Sequence, residues 1–385
     1  MKRYYFAKNE EIMEAKDAMI IMDIKADNFF AFKNFHMNMS YPKKIVRSTI
    51  NGEFLKDRKN FRYKKVNILM GSNATGKTTI GKLLMLFANY FQDGETGRFK
   101  PFVNDKMKNA SMSVDFVTGS NNLYRFELRM RPKTNDGKVN LETDTNIFFT
   151  AINQDDNYEH CAKRLDAHMG AEISYEKIDI NGWSFSYPQD ATDEGRYKAL
   201  DDNESYLTIL ETVLRMLDPD IRKVVKLTEV ENAYAIKTKT QSVIVQDGRI
   251  AGNNILSSGT KAGLEIAYIL ATLTCNLHDL YYCDELFSYV NSDIEKACLS
   301  VMIDKLSDRK QLFFTTHNSD ILDMQLPKHS FIFLKKDAED EEEPIKCISA
   351  SQYLKRNTDV LKSAVENDLF CTAPDLSRLY ELAEE

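Results

Sequence analysis

No two of the six cysteines stand in a C-x-x-C spacing, so neither a zinc knuckle nor a dithiol redox pair is spelled out. Cys161, Cys275, Cys283, Cys298, Cys347 and Cys371 are scattered, several inside apolar runs where cysteine serves as a small buried hydrophobe; a reducing cytosol fits best. No stretch approaches the roughly 18 uninterrupted apolar residues of a membrane span. The opening "MKRYYFAKNEEIMEAKDA" is broken by charge throughout. A soluble, cytoplasmic protein without a membrane partner is expected. Strong charge of one sign is missing too: the formal net charge is −7, which leaves no global footprint of a nucleic-acid binder, so any such contact needs a local patch. There is no internal repeat and no long heptad run. What is present is 385 residues with 43% apolar content, enough for a sizeable core.

From Met19, "MIIMDIKADNFFAFKNFHMNMSY" alternates apolar and polar positions in two runs around "ADNFF", predicting strands of an edge or hairpin. A basic stretch, "FLKDRKNFRYKK" (54–65), then precedes a buried strand, Val66 to Met70. Residues 104–255 are less regular. They hold strand-like runs "SMSVDFV" and "LYRFELRM", a turn at "TNDG", and a helix in "YLTILETVLRMLD" that "PD" closes. The pattern then sharpens into helix (Thr260 to Leu273), strand (Leu280 to Cys283), helix (Asp293 to Leu306), and strands Gln311 to Thr316 and Phe331 to Leu334. Helices alternating with short apolar strands predict an α/β fold with a parallel-rich sheet. The run "KKDAEDEEEP" is expected to be a solvated loop, followed by a last helix near "SQYLKRNTDVLKSAVEND".

"VNILMGSNATGKTT" carries the clearest chemistry. Gly71, Gly76, Lys77 and Thr78 satisfy G-x-x-x-x-G-K-[ST] between a strand and a helix. In such a loop the backbone N–H groups of Gly71, Ser72, Asn73, Ala74, Thr75, Gly76, Lys77, Thr78 and Thr79 turn toward phosphates. Lys77 neutralises the outer oxygens, and the Thr78 hydroxyl ligates Mg²⁺. The cofactors expected are ATP and Mg²⁺. Behind the loop Ile80, Leu83, Leu84 and Phe87 share one helical face.

"LYYCDELF" delivers Asp284 and Glu285 at a strand's carboxyl end, where ligands gather in open α/β sheets. Asp284 is the candidate metal ligand and Glu285 the candidate base toward water; read alone, the pair could also cap the next turn. "QLFFTTHNSD" repeats the arrangement with Thr315, Thr316 and His317, which makes His317 a candidate γ-phosphate contact, or an ordinary polar residue at a strand end. "NILSSGTKAGLEIAYIL" sets Ser257, Ser258 and Gly259 ahead of an amphipathic helix, which read alone is a helix N-cap.

Together "GSNATGKT", "LSSGTK", "YYCDE" and "TTHNSD" resemble the motifs of ABC-type ATPases, in their order and setting. The likeness is to the SMC/RecF/OLD branch, and within it to stand-alone ATPases of bacterial anti-phage defence and abortive-infection systems of PARIS-like or Septu-like kind. It covers most of the chain, including the C-terminal "YLKRNTDVLKSAVENDLFCTAPDLS", with the middle alike only in outline. The resemblance implies one ABC-ATPase head over 1–385. Residues 19–103 would hold N-terminal strands and the phosphate loop, and 104–255 an antiparallel β subdomain with a helical insertion. Residues 256–334 would form the signature and Walker B lobe, and 335–385 an acidic loop and last helix.

The resemblance also implies a homodimer or larger homo-oligomer in which Ser257, Ser258 and Gly259 of one copy reach the γ-phosphate held by the other. "SYVN" then stands where the family has its D-loop. Asn291 replaces the usual Asp there, while Ser292 and Glu295 also form a capping-box pattern. Phe32 is a conceivable platform for adenine, and Gln154 in "FFTAINQDDN" is a candidate for the family's Q-loop or an ordinary loop glutamine. Fewer than 70 residues follow the last mapped strand, with six of their thirteen acids in one run, so an OLD-type nuclease domain with its own metal ligands is not expected. The implied function is a slow, assembly-dependent ATPase controlling a separate nuclease or toxin. The alternative is a RecF-like head that binds DNA, for which 56–65 could be the basic patch or merely a solvated hairpin.

Overall fold

In a computed structural model, which describes residues 19–371 apart from 47, 120, 136–137, 168–169, 179, 181, 188–203, 252–255 and 357–358, the chain divides into two units. Among the described residues, the first joins those up to Ile180 to those from Leu322 onward, and the second holds those between, to Ile321.

The first unit opens with β1 (Ile20–Asp27) and β2 (Phe35–Asn38), antiparallel as their alternation predicts, then a small hairpin of β3 (Phe54–Leu55) and β4 (Arg58–Arg62). β5 (Val66–Met70) is buried at every position and leads through the glycine loop into α1 (Lys77–Asp93). Three long strands follow: β6 (Ala110–Thr118), β7 (Asn122–Asn135) and β8 (Lys138–Ala151), the last two joined at "TNDG", whose 136–137 lie outside the described residues. After α2 (Tyr158–Asp166) and β9 (Ala171–Glu172), an antiparallel sheet is complete in the order β2-β1-β6-β7-β8-β9. Phe87 of α1 meets Phe116 and Phe126 of that sheet edge-on at 5.2 and 5.5 Å, so the helix behind the loop is anchored on β6 and β7.

The basic stretch is not simply solvated. Leu55, Phe61 and Tyr63 join Ile20, Val117 and Cys161 in one core cluster. Lys64 and Lys65 are buried, and their ammonium groups donate to Asn38 O at 3.0 Å and Asn51 O at 2.8 Å. Burial pulls the Lys64 ammonium down to about 8, while Cys347 opposes the fall.

The second unit contains β10 (Gly182–Ser186), α3 (Glu204–Leu217), and a four-stranded antiparallel sheet of β11 (Ile221–Lys226), β12 (Ala233–Thr238), β13 (Ser242–Gln246) and β14 (Arg249–Ala251). Then come α4 (Ser258–Thr274), β15 (His278–Asp284), α5 (Ser292–Lys305) and β16 (Gln311–Thr315). β15 lies between β10 and β16, parallel to both. Both β15 and β16 are buried throughout, as the apolar runs of parallel strands require. β15 starts two residues before the apolar run does, because His278 and Asp279 are buried beside Lys310, whose ammonium donates to the carbonyls of Asn276 and His278.

The chain then returns to the first unit as β17 (Phe331–Lys336), parallel to β5, and β18 (Ile345–Ser349), antiparallel to β17. The acidic run forms the loop between them, where Asp340 pairs with Lys346 at 2.5 Å. The single last helix of the sequence reading is two short ones, α6 (Ala350–Tyr353) and α7 (Leu361–Glu366). Between them the Asp359 carboxylate captures the Arg356 N–H at 2.8 Å, a side-chain bond that competes with helix continuation. The fold is thus α/β, with an antiparallel N-terminal sheet and parallel core strands, as expected.

Candidate functional site

In the first unit, residues 71–79 make a loop that only glycine permits at two points. A Cβ on Gly71 would stand 2.4 Å from the Leu334 carbonyl oxygen, so backbone to backbone packing against β17 leaves no room for one. Gly76, the N-cap of α1, has φ 95° and ψ 11°, a left-handed conformation that costs any other residue strain. Ala74 is also left-handed, at φ 61°. Asn73 and Ala74 are exposed and Ser72 is half-buried, while Thr75 is buried and donates to Ser72 O at 2.8 Å. The buried Lys77 curls back over the loop, donating to Gly71 O at 2.9 Å and Ser72 O at 3.2 Å. Thr78 and Thr79 are half-buried in the first turn of α1. No acidic residue occupies that turn, so the helix's positive end is not neutralised by its own side chains.

Phe32 does not offer a face to a base. It is 1% exposed, stacked on Phe35 at 3.9 Å with 4° between the rings, and its edge abuts Gly76. An apolar side chain at that position packs the loop from beneath, which corrects the adenine-platform expectation. Gln154 lies exposed in the turn between β8 and α2.

In the second unit the carboxyl ends of β15 and β16 bring Asp284, Glu285 and His317 together. Asp284 is buried and accepts from the Thr315 hydroxyl at 2.9 Å. The same hydroxyl accepts the Glu285 N–H at 2.9 Å, so one side chain locks both positions of the acidic pair. Glu285 sits at φ 48°, a strained backbone for a non-glycine residue, held further by Ser288, whose hydroxyl donates to Glu285 O at 2.8 Å. His317 Nε2 lies 2.8 Å from Glu285 Oε1 and donates to it in the Nε2–H tautomer.

Ser257 is the N-cap of α4, accepting the Thr260 N–H at 3.1 Å; Ser258 and Gly259 begin the helix, Ser258 exposed and Gly259 half-buried. A Cβ on Gly259 would stand 3.1 Å from the Tyr289 carbonyl oxygen, so the start of α4 lies against 288–291. Tyr289 is 62% exposed. Asn291 rather than Ser292 is the N-cap of α5, accepting the Asp293 N–H at 2.8 Å. The capping-box reading therefore fails by one residue. Ser292 is freed to donate to Asp320 at 2.6 Å, and Glu295 points into the protein toward Thr316 and Asn318. Asn318 and Asp320 were not singled out by the sequence, and Glu295 only as half of a cap. The signal available was the alternation Thr316, Asn318, Asp320: two of these side chains each accept the N–H two residues on, at 3.0 Å.

No protein-family model matches the chain, and no curated protein is similar to it. Among solved structures it is similar to an Smc head bound to the C-winged helix domain of ScpA, with 13% identity over 87% of this chain and 99% of that one, TM-score 0.46. A second Smc head, with an extended coiled coil and bound to the C-terminal domain of ScpA derived from Pyrococcus furiosus, shares 10% identity over 88% and 98%, TM-score 0.48. RecF with ATP shares 12% identity over 88% and 98%, TM-score 0.38. At such scores what the site does is decided by its own residues. Among the described residues no helix is long and apolar enough to cross a membrane.

Proposed function

We propose that this chain binds and hydrolyses ATP as an ABC-type ATPase, with catalysis completed by a second copy of itself. The observation that carries the reading is the loop at 71–79. Its left-handed Gly76, buried Lys77 and acid-free helix start form a cradle whose donors suit a polyphosphate. On binding, Lys77 exchanges its two loop carbonyls for phosphate oxygens, a stronger charge-assisted pairing. The Thr78 hydroxyl and the Asp284 carboxylate are each an oxygen donor of the kind a hard divalent cation such as Mg²⁺ takes, and that cation would neutralise charge on the phosphates. Glu285 takes the proton of the attacking water, while His317 orients its carboxylate and contacts the γ-phosphate.

Ser257, Ser258 and Gly259 serve the nucleotide of the partner copy. What supports this is that Ser257 and Ser258 are exposed beside the solvent-facing Tyr289, at the positive end of α4. The output we propose is control of a separately encoded nuclease or toxin effector in antiviral defence, which rests on the sequence resemblance. The DNA-binding alternative loses part of its sequence support, since Lys64, Lys65 and Arg58 of the basic stretch spend their donors on backbone carbonyls. ATP-dependent DNA affinity that falls steeply with salt would restore it.

The test is mass measurement with and without ATP on two variants. Glu285→Gln is expected to accumulate as an ATP-bound dimer, and Lys77→Ala to stay monomeric. Equal nucleotide affinity and equal mass in both variants would refute the assignment.

A further inference from the structure

Glu295 is 4% exposed and lies in the first turn of α5. Its carboxylate is held by the segment that follows β16. Oε1 accepts from the Thr316 hydroxyl at 2.7 Å, and Oε2 accepts from Asn318 Nδ2 at 2.7 Å. The second hydrogen of Asn318 Nδ2 goes to the Ser292 hydroxyl at 2.9 Å, which itself donates to Asp320 at 2.6 Å. Thr316 and Asn318 flank His317. A side chain between two clamped neighbours has its backbone fixed, so the direction of the His317 ring toward Glu285 is set from α5.

We infer that Glu295 is a positioning residue: through Thr316 and Asn318 it holds His317 against Glu285, and so ties the base of the proposed hydrolysis to the first turn of α5. Burial pushes the Glu295 carboxyl up, the bonds from Thr316 and Asn318 pull it back, and Asp320 adds to the rise. Such a group is costly to bury, and a clamp that uses both of its oxygens gives that burial a purpose. The same helix begins at Asn291, two residues after Tyr289, whose carbonyl lies against Gly259. A displacement of 288–291 by a partner copy would therefore be felt at His317 through α5.

The inference rests on the proposed hydrolysis, and its test has a readout that does not. In full-length protein with labelled histidine, the His317 ring-nitrogen shifts should give the signal of the Nε2–H tautomer bonded to Glu285. Glu295→Met removes both carboxylate acceptors and should abolish that signal and lower kcat about ten- to a hundredfold with KM for ATP unchanged. Asn318→Ala, in a half-exposed loop, should act in the same direction should Glu295→Met fail to fold. An unchanged His317 signal and unchanged kcat in Glu295→Met and Asn318→Ala would overturn the inference. Wild-type protein that hydrolyses no ATP, yet loses the His317 signal in these variants, would sink the proposed activity and leave the clamp standing.

Discussion

Gly76→Ala should damage the first unit far more than a methyl group suggests. Two costs add. At φ 95° an alanine is strained by about 1–2 kcal/mol. Its Cβ would also stand 2.5 Å from Phe32 Cε1, and the ring has nowhere to go, because Phe35 is stacked on it at 3.9 Å and Ile345 Cδ1 lies 3.6 Å from the added atom. Overpacking of that kind costs about 1–3 kcal/mol, so the expected destabilisation is about 2–5 kcal/mol. For a unit of this size each kcal/mol moves the midpoint about 2–4 °C, and calorimetry should show a fall of at least about 4 °C. The overlap part is separable. In a Phe32→Leu background the ring edge is gone, and Gly76→Ala should cost at least about 1 kcal/mol less than in the wild type. The same cost in both backgrounds, or no fall at all, would refute the reasoning.

Arg125 holds the buried Asp115 through two bonds, Nε to Oδ1 at 2.7 Å and Nη2 to Oδ2 at 2.8 Å, so Arg125→Leu should cost about 3–5 kcal/mol by denaturant titration. Changing Asp115 to Leu as well should recover stability; a double variant weaker than the single would contradict the pairing. His278 is pulled down to about 4, by burial first and Lys310 second, and neither ring nitrogen has a hydrogen-bond partner among the described residues. Below its ordinary value of about 6.5 the unfolded chain takes up a proton that the folded chain refuses. Its contribution is therefore whole above that pH and is lost as pH falls toward 4, about 2 kcal/mol of it between pH 7 and 5. His278→Leu should flatten the stability profile across that window, and an unaltered slope would show that His278 does not titrate there.

Apolar runs closed by glycine announce themselves, which is why Val66–Met70 is legible to the residue, and helices alternating with short apolar runs announce the parallel strands β15 and β16. What stays hidden is polar burial. His278 and Asp279 look like loop residues because nothing local shows that Lys310, thirty residues away, caps the carbonyls beside them. Lys64 and Lys65 look solvated for the same reason, since their carbonyl partners come from Asn38 and Asn51. The cap of α5 falls one residue early because Ser292 and Glu295, a capping pair by spacing, are drawn off by Asp320, Thr316 and Asn318. Phe32 is an aromatic beside a nucleotide loop by sequence and a packing element under Gly76 by structure. In each case a partner distant in sequence outbids the local pattern.

The central claim is that hydrolysis needs residues from two copies, and mixing two inactive variants tests it most directly. Lys77→Ala keeps its signature but loses its phosphate loop, and Ser257→Arg keeps its loop but loses its signature. Only a mixed dimer has a complete site, and it has one of two, so an equal mixture should recover hydrolysis that neither variant shows alone, up to about half of the wild-type rate. A mixture as inactive as its components, with both variants folded and Ser257→Arg still binding ATP, would contradict the claim.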